Sequence, residues 1–157
     1  MKSRAVAAAF IAAVCALALA ACGSDLPPDV DQTALTDAIS GAVGDPSTCL
    51  LVAEAASGRV IYRYNTHMVC ARQLAACDAP DSRRVGDLLK AVAADGRSRA
   101  STCDNPKDAA RTIAWSAGPV TGRKLVYAAV MDGERTFPSR IMTERIDAAL
   151  RNAGLAR

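Results

Sequence analysis

Aromatic side chains are scarce in this chain. Its 157 residues include two Phe, one Trp and three Tyr, so a core must be built mostly from Leu, Val, Ile and Ala. Histidine occurs once, as His67, so any Ser-His-Asp arrangement would have to use it. There is no C-x-x-C pair, no Gly-rich phosphate loop, and no serine followed three positions later by lysine. Internal repeats are absent, as is low-complexity sequence beyond the first 21 residues. Nor is charge of either sign concentrated. The formal net charge is +3, of which Lys2 and Arg4 contribute two. A balance this close to zero argues against nucleic acid as a partner and against a highly charged disordered chain.

The first 22 residues carry an address. Lys2 and Arg4 form a positive start, and Ala5 to Leu19 is an uninterrupted apolar run. That run is short of the roughly 20 residues needed to span a bilayer. It ends in Leu19-Ala20-Ala21-Cys22, which resembles the lipobox of bacterial lipoproteins. The resemblance implies cleavage before Cys22 and attachment of lipid to its thiol, with residues 1–21 lost as a signal peptide. The alternative is an ordinary secretory leader that contains a cysteine. Several acyl chains on one residue meet the two-signal requirement for stable anchoring. By resemblance to Gram-negative lipoproteins, Gly23 after the cysteine favours the outer membrane; in a Gram-positive host the same signal leaves the protein outside the plasma membrane. Residues 22–31 read as lipidated Cys22 and a tether, since Gly23 to Asp31 holds two prolines and no periodicity. Extended, nine such residues reach roughly 28 Å.

Residues 32–157 read as one α+β domain, with one core and too few residues for two. Apolar spacing predicts helices over 32–43, 82–94 and 139–153, with Asp31 capping the first and Asp81 or Ser82 the second. Strands are expected at 49–54, 59–65, 97–103, 110–117 and 124–131, the last apolar on both faces and therefore central. The order α-β-β-α-β-β-β-α gives a five-stranded antiparallel sheet flanked by helices. Ser57-Gly58 reads as a tight hairpin turn, after which Val60, Tyr62 and Tyr64 share a face. Residues 66–80 are left as a cysteine-containing loop.

Six cysteines are present, of which Cys15 departs with the leader and Cys22 takes the lipid. The remaining Cys49, Cys70, Cys77 and Cys103 predict two disulfides in an exported domain. With Ser57-Gly58 as the turn, Cys49 faces Thr66 and Cys70 lies just past that end of the hairpin. This favours Cys49–Cys70 with Cys77–Cys103; Cys70–Cys77 with Cys49–Cys103 is the main rival. A metal site of His67, Cys70 and Cys77 is the other reading, but the spacing fits no common zinc motif. The acidic residues fall at turns and helix ends, and arginines such as Arg83 and Arg84 read as solvated.

Residues 49–65 resemble the opening hairpin of penicillin-recognising serine enzymes, especially class D β-lactamases. Ile113-Ala-Trp-Ser-Ala-Gly118, the strand that follows at 124–132 and the closing helix continue that likeness. It implies a scaffold from which the chemistry is missing. Asp78-Ala79-Pro80-Asp81 stands where the S-x-x-K nucleophile and lysine belong, no K-T-G triplet precedes Trp115, and the family's helical insert is absent. Without nucleophile and proton acceptor, no β-lactam hydrolysis is expected; Cys77 as a substitute thiol nucleophile is the remaining enzymatic option. The same element order resembles the small roadblock and profilin-like domains, which act by protein contact. The sequence therefore points to a lipid-anchored, non-catalytic envelope lipoprotein, needing no cofactor, that presents a small domain to a periplasmic or surface protein or to cell-wall material. A degenerate penicillin-recognising protein with residual cell-wall or β-lactam binding is the alternative.

Overall fold

The computed structural model describes residues 25–157. The leader, Cys22 and Gly23 lie outside them. Five strands form an antiparallel sheet: β1 (Cys49–Glu54), β2 (Val60–Tyr64), β5 (Arg99–Asn105), β6 (Asp108–Pro119) and β7 (Leu125–Gly133), in the order β2-β1-β7-β6-β5. A two-stranded piece pairs β3 (Leu74–Ala75) with β4 (Ser82–Arg83). The helices are α1 (Gln32–Val43), α2 (His67–Cys70), α3 (Val85–Asp95) and α4 (Ser139–Asn152). The domain is α+β, as its sequence predicts, and β7 is central with both faces buried.

Two cores lie either side of the sheet. On one face α1 and α4 bury Leu35, Ile39, Met142 and Ile146 against Leu50, Val52, Tyr127 and Ala129. On the other, α3 buries Val85, Leu88 and Val92 against Leu51, Ile113, Trp115 and Val130. The helix signals work as read. Asp31 accepts from the Ala34 amide at 2.7 Å. Gly96 ends α3 at φ +68, a left-handed conformation that favours glycine.

Four expectations need correction. The hairpin is not a two-residue turn at Ser57-Gly58. Four residues, 55–58, loop between Glu54 and Arg59, and the Glu54 amide donates to the Arg59 carbonyl at 3.0 Å. The Glu54 side chain accepts from Ser57 Oγ and Arg59 Nη2, stabilising the wider loop. The register then shifts between Val52 and Ala53, leaving Ile61 as an extra residue, a β-bulge. Val60 therefore packs on the α3 side while Tyr62 joins the α1/α4 side. Leu50 pairs with Tyr64, one residue off the expected register.

The segment 66–80 is also more ordered than a loop. Thr66 Oγ1 caps α2 by accepting from Val69 N, and β3 pairs with β4. That pairing occupies the backbone of Ser82 and Arg83, so α3 starts three residues later than expected, with Arg84 at its N-cap position rather than Asp81 or Ser82. Finally, residues 25–31 are packed on the domain rather than held out as a tether. Leu26 and Val30 are buried with the α1/α4 core. Asp25 pairs with Arg59 at 3.0 Å, and Asp29 with Arg123 and Arg157. Burying two apolar side chains outweighs the freedom of a short polar segment.

Candidate functional site

The two disulfides are Cys49–Cys70 and Cys77–Cys103, the favoured pairing. Hairpin and α2 together bring Cys70 back beside Cys49. Cys77–Cys103 joins the β3–β4 piece to β5. With Cys70 and Cys77 bonded to other sulfurs, neither offers a thiolate to a metal with His67, and Cys77 carries no free thiol as a nucleophile. Among the described residues, no group of three or more His, Cys, Asp or Glu could hold a metal ion. Among them also, no helix is long and apolar enough to cross a membrane.

The segments quoted for the penicillin-enzyme resemblance, β1, β2, β6 and β7, lie side by side in the sheet. Asp78 to Asp81 lie between β3 and β4 instead of opening a helix. Ser116 is fully buried, its Oγ 2.7 Å from Thr143 Oγ1 of α4 and 3.2 Å from the Tyr127 hydroxyl. His67 is exposed on α2. Burial raises the Tyr127 hydroxyl far above its usual value, so it stays protonated as part of this network.

The densest chemistry sits where β7 ends. Asp132, the next-to-last residue of β7, has a fully buried side chain. Burial pushes its carboxyl up, but hydrogen bonds from Arg111, Asn105 and Arg72 outweigh that and hold it below the usual carboxylate range. Arg111 Nε lies 3.1 Å from Oδ1, Asn105 Nδ2 3.0 Å from Oδ1, and Arg72 Nη2 contacts Oδ2. The Asp132 carbonyl accepts from Ser47 Oγ and Arg111 Nη2. Four separate segments thus converge on one residue.

Over this knot opens a cavity of about 520 Å³, lined by Ser47, Arg72 and Arg111 together with Asp45, Glu134 and Arg135. Counting Asp132 beneath it, three arginines face three carboxylates, so it is charge-balanced. A second cavity of about 390 Å³ opens toward the same end of β2, between β2, α2 and the start of α3. It is lined by Arg63, His67, Arg84, Asp87 and Lys90 over Leu51 and Cys70.

From the sequence, Asp132 reads as a turn residue like the other acidic side chains, and the arginines read as solvated. Asp132 is instead buried, because strand pairing continues through it: Ile113 lies opposite. Arg83 is also not simply solvated. It lies 5.6 Å from the Trp115 ring centroid and pairs with Asp78. The one available signal was the polar residue closing an otherwise apolar central strand.

The N-terminal segment and the Asp132 cluster mark opposite ends of the sheet. Asp25 and Asp29 are clamped to Arg59, Arg123 and Arg157, beside the start of β7. Asp132 is near its finish, seven residues on from Leu125, roughly 24 Å at strand rise. No protein family, curated protein or solved structure matches the chain.

Proposed function

We propose that this chain is an exported lipoprotein. Lipid on Cys22 anchors it to the cell envelope, in the outer membrane if the host is Gram-negative. Its domain binds a periplasmic or surface protein, or cell-wall material, without carrying out a reaction on it. The observation that carries the reading is the Leu19-Ala20-Ala21-Cys22 sequence upstream of a domain closed by two disulfides. Such bonds persist in oxidising compartments. The docking of residues 25–31 supports a defined presentation: the chain enters at the Arg59/Arg123 end of the sheet. The end with Asp132, Arg72 and Arg111 therefore points away from the membrane and is the binding face.

Detergent-phase partitioning tests the anchor. The full-length protein expressed with its leader goes to the detergent phase, and Cys22→Ala goes to the aqueous phase. If both stay aqueous, the anchor is refuted. On the same reading, labelled penicillin leaves no adduct that survives denaturation.

A further inference from the structure

Charge balance separates the cavity over Asp132 from the one beside α2. The cavity over Asp132 neutralises itself, arginine against carboxylate. The one beside α2 does not. Arg63, Arg84 and Lys90 line it with a single carboxylate, Asp87, whose Oδ2 is already occupied by the Arg84 amide at 3.0 Å. None of these three cations lies within 4.0 Å of a carboxylate, although the described residues contain all sixteen Asp and Glu of the chain. By contrast Arg59, Arg72, Arg83, Arg99, Arg111 and Arg123 each have such a partner. Three like charges around one concavity repel, and a bound anion relieves that repulsion.

We infer that the cleft between Arg63, Arg84 and Lys90 is a binding site for a phosphate monoester group. Arg63, Arg84 and Lys90 set against Asp87 leave two positive charges unmatched, which suits a dianion. Two guanidinium forks and an ammonium match the geometry of phosphate oxygens. The floor is firm: the Cys49–Cys70 disulfide ties α2 to β1 beneath the cleft. At the mouth, Gly86 leaves backbone open to the ligand; a Cβ there meets no atom within 4 Å. This deepens the reading of the far end as the binding face and rests on it for the ligand's source, a phosphate ester of the envelope rather than the protein's own membrane. Binding itself does not depend on the anchor.

The test is titration of the full-length protein in detergent with glycerol phosphate and inorganic phosphate, followed by calorimetry, with acetate as the monoanion comparison. Saturable binding of both phosphates is expected, with acetate at least tenfold weaker. Arg63→Gln with Arg84→Gln lowers the affinity tenfold or more. Gly86→Leu, which keeps every charge and fills open space, does the same. Arg140→Gln, on α4 across the sheet, leaves it unchanged. Absence of saturable binding in the wild type overturns the inference, as does equal loss in Arg140→Gln or full retention in Gly86→Leu. Failure of the anchor would show instead in the partitioning of Cys22→Ala, with phosphate binding intact.

Discussion

Arg111 holds Asp132 edge-on: its Nε lies 3.1 Å from Oδ1 and its Nη2 3.3 Å from Oδ2. Asn105 and Arg72 complete the shell around a side chain with no exposure to solvent. Removing the carboxylate leaves two guanidinium groups and an amide facing one another over a void. Asp132→Ala is therefore expected to cost about 3 kcal/mol or more, the scale for breaking a buried ion pair. Urea unfolding measures it. A loss within error of zero would show that Asp132 does not organise this end of the fold.

Acid should weaken the fold in a defined window. The Arg123 guanidinium beside Asp29 holds its carboxyl at about 2, and Arg99 holds Asp95 at about 2. Asp132 is also shifted down, its hydrogen bonds outweighing burial. Unfolded, each returns to about 3.9. A folded value below the unfolded one gives stability that is complete above the unfolded pKa and is lost as pH falls through the folded one. Unfolding midpoints should thus be steady above pH 5 and drop between pH 4 and 2. A constant midpoint down to pH 2 would contradict this.

Asp147 predicts the opposite sign. Burial raises its carboxyl despite the Tyr127 hydroxyl and Arg151. The folded state disfavours its ionised form, so the charge destabilises the fold above the folded pKa and ceases to below the unfolded one. Asp147→Asn should raise Tm at pH 7, with the gain shrinking as pH falls toward about 4 and lost below it. A lowered Tm at pH 7 would contradict it.

Trp115, the only tryptophan, reports on one disulfide more than the other. Its Nε1 donates to the Ala75 carbonyl at 2.8 Å, on the β3–β4 piece that Cys77–Cys103 ties to β5. Cys77→Ser with Cys103→Ser should shift Trp115 emission to the red in the folded protein. Cys49→Ser with Cys70→Ser should leave the emission near wild type. Each pair is expected to lose about 3 to 4 kcal/mol, from closed loops set by separations of 21 and 26 residues. Identical emission in both would contradict the assignment.

What was legible in the sequence was what local pattern controls. The apolar stripe of α1, the double-sided apolar run of β7 and the caps at Asp31 and Gly96 all depend on residues a few positions apart. The disulfide pairing followed because the hairpin folds Cys70 back, even with its register one residue off. Asp132 was not legible. Its partners come from positions 72, 105 and 111, and only the completed sheet brings them together. Docking of Leu26 and Val30 was hidden too, since two apolar residues around Pro27-Pro28 show no period. Leu26→Ala should cost about 2 kcal/mol or more by urea unfolding if that docking holds, the scale for a buried leucine; a neutral effect would return the segment to a tether.

Lipid on Cys22 is the central proposal for this chain. Intact-mass spectrometry of the full-length protein, recovered from the membranes of a bacterium that processes lipoproteins, tests it directly under non-reducing conditions. The predicted species begins at Cys22, carries acyl groups on that residue, and has a mass four hydrogens below the reduced value from its two disulfides. A species cut elsewhere, or one with an unmodified Cys22, would contradict the account.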